Sequence, residues 1–428
     1  MKTLHYFVTL WFLATTIASA DISDSLSGRL QAAVDHVRER DTIKGVSVSV
    51  RWDADHWQGV SGISHPDTPI DPAMLFGIGS NTKTLTSLVL LRLQEEGIVH
   101  LDSTIDTWFA GRANIDGSIT IRQLLNHTSG LGDYSATTTY RQSVGSNTSR
   151  IFTEADILPM IPEPMFAPGQ GWQYCNTNYY LAGLIATKVS GKTLGTLFRT
   201  YIYEPLGLEQ TFLGVEDSLG GVVAHRWLGP TDASGMSINA AFSGAWAAGA
   251  VFSTASDMTV IYDRLFKGEL LGPDAMQEML AFTGLQNYGL GISRKALGGT
   301  TIIGHSGEIR GYASVMVRVP SLGVSIAVLT NNALANAAAV ADTIIRILRE
   351  DPVSVENDVT EVSLRPLPAS DHVVIEGYTG LVDVVCVDGT VVHSAWVEAG
   401  QPMLLSDLIR GLYMIRIGRN GLILPVIR

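Results

Sequence analysis

The chain reads as an α+β domain with a large helical insertion that packs as a second subdomain, followed by a small separate β-domain. Three observations predict this. Helix and strand patterns open the chain, and strand and helix patterns return between about residues 286 and 350. The stretch between them, from about 100 to 285, is mostly helical with long loops. Beyond about residue 370 the pattern changes to short strands separated by turns. Strands and helices segregated in this way form an α+β fold, with a cleft between sheet and insertion.

Leu26, Leu30, Val34 and Val37 recur at helical spacing and predict an N-terminal amphipathic helix. Lys44–Trp52 alternates apolar and polar residues, predicting a strand, with a second running through Gly62. The stretch Phe76–Leu93, apolar on all sides from Leu85, predicts a buried central helix that stops at Gly97. Val315–Val317 and Ser325–Val328 read as late strands. Leu334, Ala338, Ala341, Ile345 and Leu348 share one face of a closing helix. Residues 351–370 are polar and rich in Pro and Val, the composition of a linker. In the last segment, 371–428, Leu381–Val387 and Thr390–Val397 flank an Asp388-Gly389 hairpin turn. Leu412–Ile417 and Leu422–Ile427 flank a second turn at Arg419-Asn420-Gly421.

The 428 residues are 46% hydrophobic and 16% charged, enough apolar content for a large core. A net charge of −12 argues against nucleic acid and against an anionic membrane surface as partners. Residues 1–20 have the layout of a cleaved signal peptide: Lys2, an apolar run from Tyr6 to Ile17, and Ala18-Ser19-Ala20 before Asp21. No cysteine stands at that cleavage point, so a lipid anchor is not expected, and no later run is long and apolar enough to span a bilayer. Cys175 and Cys386 fall in different predicted domains, so stability must come from the core rather than from disulfides. No His/Cys/Asp cluster has the spacing of a zinc site, and no cofactor is expected.

Three short motifs carry chemistry. Ser80-Asn81-Thr82-Lys83 opens the central apolar run, and on a helix the hydroxyl and the amine three residues apart can meet. A lysine able to accept a proton turns a poor alcohol nucleophile into one that can be acylated. Tyr174-Cys175-Asn176 precedes another helical pattern. Its tyrosine can relay a proton to a leaving group, and its Asn amide can bond both lysine and substrate; a buried tyrosine and a helix cap would read the same. His305-Ser306-Gly307 sits between two apolar runs, on a strand or at its edge. There the glycine permits close approach and the backbone N–H groups can meet an extended acyl chain.

Taken together and in this order, Ser-x-x-Lys, Tyr-x-Asn and His-x-Gly resemble the serine penicillin-recognising family. Within it the chain is most similar to the class C β-lactamase-like branch, with its D-Ala-D-Ala carboxypeptidases, D-aminopeptidases and esterases. The stretches LLNHTSGL at 124–131, YEPLGLEQTFLG at 203–214, AAGAVFSTASDM at 247–258 and NYGLGI at 287–292 add to the likeness, which covers about residues 25 to 350. The resemblance implies a β-lactamase/transpeptidase-like fold: an antiparallel sheet flanked by helices, plus a helical subdomain. It implies Ser80 as nucleophile, Lys83 as base, Tyr174 as proton relay and Asn176 as anchor of lysine and substrate. His305 takes the place of the lysine in Lys-Thr-Gly. The backbone N–H groups of Ser80 and of Glu308, which follows Ser306 and Gly307, would form an oxyanion hole. His127, in Asn126-His127-Thr128, reads as structural.

The implied activity is an exported serine hydrolase acting on a small peptide or ester, possible peptidoglycan fragments included, with β-lactams as possible inhibitors. D-Ala-D-Ala carboxypeptidase or another D-peptidase leads, with esterase, weak β-lactamase and a non-catalytic binding protein as alternatives. A histidine at 305 is largely neutral at pH 7 and supplies no fixed cation for a drug's carboxylate. Carboxypeptidase relatives carry an Arg directly after the YGLG-plus-apolar stretch; here that residue is Ser293, and Arg294, one position on, should face the other side of a strand. Glu308 would repel a carboxylate if it faced the cleft. The C-terminal LSDLIRGLYMIRI and terminal PVIR look like a type IX secretion sorting domain, which implies the secretion machinery as a partner and a periplasmic then outer-surface or secreted location; an accessory β-sandwich is the other reading.

Overall fold

The computed structural model describes residues 24–52, 55–282, 286–333 and 335–350, together with seven strands between 363 and 427. The predicted signal segment, Leu334, and the turns at Asp388-Gly389 and Arg419-Asn420-Gly421 lie outside the described residues.

The apolar stripe of the first helix, α1 (Asp24–Arg40), packs onto a seven-stranded antiparallel sheet. Its strands are β1 (Gly45–Trp52), β2 (Asp55–His65), β3 (Thr68–Pro69), β4 (Ser293–Leu297), β5 (Thr300–Ile309), β6 (Tyr312–Val319) and β7 (Val324–Thr330). Their order is β3-β2-β1-β7-β6-β5-β4, so β7 joins the early strands to the late ones. Val48 lies opposite Val328 on one side of that junction, and Ala327 opposite Met316 on the other.

Residues two apart along a strand share a face, and this alternation divides the interior into two cores. Val46, Val48, Val50, Ile326 and Val328 meet α1 and the closing helix α5 (Ala337–Glu350). Ile303, Met316, Ala327 and Leu329 face the helical half of the molecule. That half contains α2 (Thr82–Glu95), α3 (Asn176–Ser190) and α4 (Ala255–Phe266). The fold is thus an α+β arrangement, an antiparallel sheet flanked by helices with a helical half on one face, as the resemblance implies.

Several boundaries differ from the sequence pattern, each for a local reason. The central helix starts at Thr82, not Phe76: Phe76–Gly77 pairs with Phe252 and Ser253, and Gly79–Asn81 forms a 3-10 turn. Apolar residues entering a strand and a helix in succession look like one long buried element. β2 continues past Gly62 to His65. The closing helix begins at Ala337 and turns Val340, Ile344, Ile345 and Leu348 inward, while Ala338 is only half-buried. Ser363–Pro366, inside the stretch read as linker, forms a strand paired with His372–Glu376. Beyond it, the strands at Gly380–Cys386 and Val391–Val397 pair, as do Leu412–Ile417 and Leu422–Ile427.

Candidate active site

Two glycines bring the edge of the sheet against the turn that carries Ser80. Gly79 has φ +52°, and a Cβ there would sit 2.6 Å from the Glu308 backbone nitrogen. A Cβ on Gly307 would sit 2.0 Å from the Ile78 carbonyl oxygen and 2.9 Å from the Ser80 nitrogen. Only glycines allow so close an approach of two backbones. The Asn81 amide helps hold the junction, donating to the Ser314 hydroxyl on β6 at 2.7 Å.

Strand pairing fixes where the β5 amides point. Arg310-Gly311 is a two-residue turn, so Ile309 and Tyr312 form the hydrogen-bonded pair that closes the hairpin. By alternation Glu308–Ala313 is a non-hydrogen-bonded pair, and the Glu308 N–H points away from β6. On that side β4 pairs with β5 only as far as Gly304, leaving the edge beyond it open. The Ser80 N–H, in the first turn of its helix, has no partner within that helix. Two backbone donors therefore converge beside the Ser80 hydroxyl.

Lys83 lies one turn further on and is fully buried. Its Nζ donates to Ser80 Oγ at 3.0 Å, to Asn176 Oδ1 at 2.8 Å and to the Ala248 carbonyl at 2.8 Å. Burial lowers its pKa to about 7, only partly opposed by the charge of Asp133. The ammonium thus has three acceptors, yet little free energy separates it from a neutral amine at physiological pH.

Asn176 is the first residue of α3, and its amide is fixed from both ends. Oδ1 accepts from Lys83, while Nδ2 donates to Ser135 Oγ at 2.9 Å and to Asp133 Oδ2 at 3.4 Å. Tyr174 precedes the helix, with Cys175 extended at φ −149° as the cap. Its phenol hydrogen-bonds the Ser80 side chain, and burial raises its pKa, so the resting group carries its proton. Lys83 Nζ stands 4.9 Å from the Tyr174 ring centroid.

His305 faces the same cleft as a neutral ring. Nδ1 lies 2.6 Å from the Ser306 carbonyl oxygen, an acceptor only, so the proton is assigned to Nδ1 and Nε2 accepts from Tyr288 Oη at 2.9 Å. Burial, reinforced by the charge of Lys83, pushes its pKa down to about 3. His127 is buried behind Tyr174, with its ring 4.5 Å from the tyrosine's. Its Nδ1 accepts from the Cys175 N–H at 3.3 Å and from Asn178 Nδ2 at 3.0 Å, so it braces the Tyr174-Cys175-Asn176 turn.

Two cavities meet at Ser80. The larger, about 530 Å³, is lined by Tyr174, Tyr288, His305, Ser306 and Lys295 among others. The smaller, about 230 Å³, lies on the Asn176 side, against Tyr140, Val144 and Arg310. Glu308 borders both. Arg294 turns away: its guanidinium stands 4.8 Å over the Phe282 ring and donates to Asn287 Oδ1 at 3.1 Å. Its neighbours Ser293 and Lys295 line the cavity instead.

The structure therefore brings Ser80, Lys83, Tyr174, Asn176, His305, Ser306, Gly307 and Glu308 to one cleft. Sequence reasoning missed Asp133, Ser135, Tyr288 and the Ala248 carbonyl as partners of that group. Tyr288 and Ala248 lie in stretches already notable for their likeness to relatives, whereas Asp133 and Ser135 have no spacing that would mark them. Among the described residues no group of His, Cys, Asp and Glu could hold a metal ion, and no helix is long and apolar enough to cross a membrane.

A family model described as Beta-lactamase matches residues 30–349. The D-aminopeptidase of Gluconobacter oxydans (strain 621H) is 27% identical over 332 residues, 73% of this chain. The match spans 60% of that relative's own length. Among solved structures, D-amino acid amidase from Ochrobactrum anthropi SV3, complexed with L-phenylalanine, superposes with a TM-score of 0.69 at 26% identity, covering 76% of this chain and 99% of that one. A D-stereospecific amidohydrolase from Streptomyces sp. does so with a TM-score of 0.66 at 30% identity, covering 74% and 97%.

Proposed function

The chain belongs to the β-lactamase family of serine hydrolases, and from that premise we propose that it is a D-stereospecific peptidase or amidase working through an acyl-enzyme on Ser80. The observation that carries the proposal is the 3.0 Å contact between Ser80 Oγ and a fully buried lysine amine whose pKa lies near 7. The names of the relatives, D-aminopeptidase, D-amino acid amidase and D-stereospecific amidohydrolase, support the stereochemical part.

In this reading neutral Lys83 accepts the Ser80 proton as Oγ attacks the substrate carbonyl carbon. The carbonyl oxygen becomes an oxyanion held by the Ser80 and Glu308 N–H groups; losing one such donor typically costs about 100- to 1,000-fold. As the C–N bond breaks, Tyr174 gives its proton to the leaving nitrogen and regains one from the Lys83 ammonium. Water then hydrolyses the Ser80 ester, returning the hydroxyl proton and releasing the acid. Asn176 holds Lys83 and a substrate amide, and Ser306 and Gly307 offer strand edge to the substrate. Neutral His305 and outward-turned Arg294 do not supply the cation that relatives place on these two strands for a substrate carboxylate, which weighs against efficient β-lactamase action and against a single-residue carboxypeptidase.

A panel tests this reading: D-phenylalanine amide and its L-enantiomer, a D-Ala-D-Ala peptide, a short-chain nitrophenyl ester and nitrocefin. Turnover of the D-amide or D-peptide well above the L-form is expected, with nitrocefin acylating Ser80 slowly. The reading fails if nothing is turned over and no labelled penicillin or fluorophosphonate attaches to Ser80. Export belongs to the same proposal and rests on residues 1–20 and the C-terminal strands. Mass spectrometry of the protein from its native host should give a mature N-terminus at Asp21; an intact Met1 would rule signal cleavage out.

A further inference from the structure

We infer that Lys295 anchors the terminal carboxylate of a leaving group two residues long, so that the preferred substrate is a free-acid peptide cut before its last two residues. The inference rests on Ser80 being the nucleophile of a D-stereospecific peptidase.

The larger cavity is the leaving-group side. Tyr174, whose proton the departing nitrogen takes, lines that cavity and not the smaller one. Two charged side chains border it, Lys295 and Glu308, while His305 is neutral. Lys295 is exposed, and its side chain makes no hydrogen bond or ion pair among the described residues. Register puts both charges on one face of the sheet. Lys295 lies opposite Ile302, and residues 302, 304, 306 and 308 of β5 alternate onto that face.

The same register gives the reach. Ile302 stands five residues before Gly307, which touches Ser80, or roughly 17 Å along the strand. A lysine stem swung along the cavity by its free rotamers would span roughly 6 Å of this and leave about 11 Å. One extended residue covers only about 3.5 Å, two cover about 7 Å. An ion-pair contact of up to about 4 Å closes the remainder for two residues but not for one. Glu308 acts in the same direction, since a carboxylate held close to Ser80 would meet its negative charge. A volume of about 530 Å³ accommodates the longer group.

The test compares D-Ala-D-Ala-D-Ala as free acid and as C-terminal amide, reading kcat/KM for cleavage before the last two residues. The full chain should favour the acid by about fivefold, the scale of a partly exposed ion pair. Lys295→Ala should bring the ratio close to one, and Lys295→Glu should invert it. An acid-to-amide ratio of one in the unmodified protein, or a preference that survives Lys295→Glu, overturns the inference. So does turnover of D-phenylalanine amide or the nitrophenyl ester with neither tripeptide cut. Absence of all turnover and labelling is a different result, because it removes the Ser80 reading itself.

Discussion

Ser80→Ala is expected to abolish turnover of every substrate and all labelling by penicillins, while thermal unfolding changes little. Removing the nucleophile of a serine hydrolase costs on the order of a million-fold in kcat. Here the loss should be confined to chemistry. The hydroxyl contributes one of three acceptors around Lys83, and Asn176 Oδ1 and the Ala248 carbonyl remain at 2.8 Å. The backbone donors of Ser80 and Glu308 are untouched by the change, so substrate should still bind. Measuring KM-independent substrate binding by calorimetry alongside turnover separates the two effects. Retained hydrolysis in the alanine variant would move the nucleophile elsewhere.

Lys83→Met is expected to lower kcat/KM by about 100- to 10,000-fold, the range of a positioned proton acceptor. The unmodified protein should show an accompanying pH dependence. Burial lowers the Lys83 pKa to about 7, so the amine is mostly protonated at pH 6 and mostly neutral at pH 8. A base must be neutral to take the Ser80 proton, hence activity should rise with pH, reach half its maximum near pH 7 and level off above about pH 8. The methionine variant should lack that limb. His305 cannot imitate it, because its pKa lies near 3 and its two nitrogens are committed to the Ser306 carbonyl and Tyr288. A flat profile between pH 5.5 and 8.5, or the same limb in the variant, would exclude Lys83 as the base. Stability should respond less simply. Removing a buried charge relieves desolvation, but leaving the Asn176 and Ala248 oxygens unpaired costs about 1–3 kcal/mol each.

The features legible in the sequence are those that periodicity or short spacing encodes. Leu26, Leu30, Val34 and Val37 announced α1 because a single helix stripe faces the sheet. Ser80 and Lys83 were recognisable because three residues on one helix are neighbours in space. Asp133 and Ser135 were not, because only the path of a long loop brings them to Asn176. The start of α2 was misplaced for a related reason: Phe76 and Ile78 are buried, but as part of a strand and a turn. Arg294 illustrates the favourable case. Period-two alternation predicted that a one-residue offset would take it out of the cleft, and the structure places it over Phe282. The same rule, carried one residue further, would have drawn attention to Lys295.

The two backbone donors of the proposed oxyanion hole belong to residues 80 and 308, and β7, ending at Thr330, is the strand that bridges the early and late parts of the sheet. A growing chain therefore carries the proposed nucleophile, base and relay, Ser80, Lys83 and Tyr174, before the second donor of the proposed anion pocket. Until the segment through Thr330 is in place beside β1, the sheet edge that carries the Glu308 N–H is not held against the Ser80 turn.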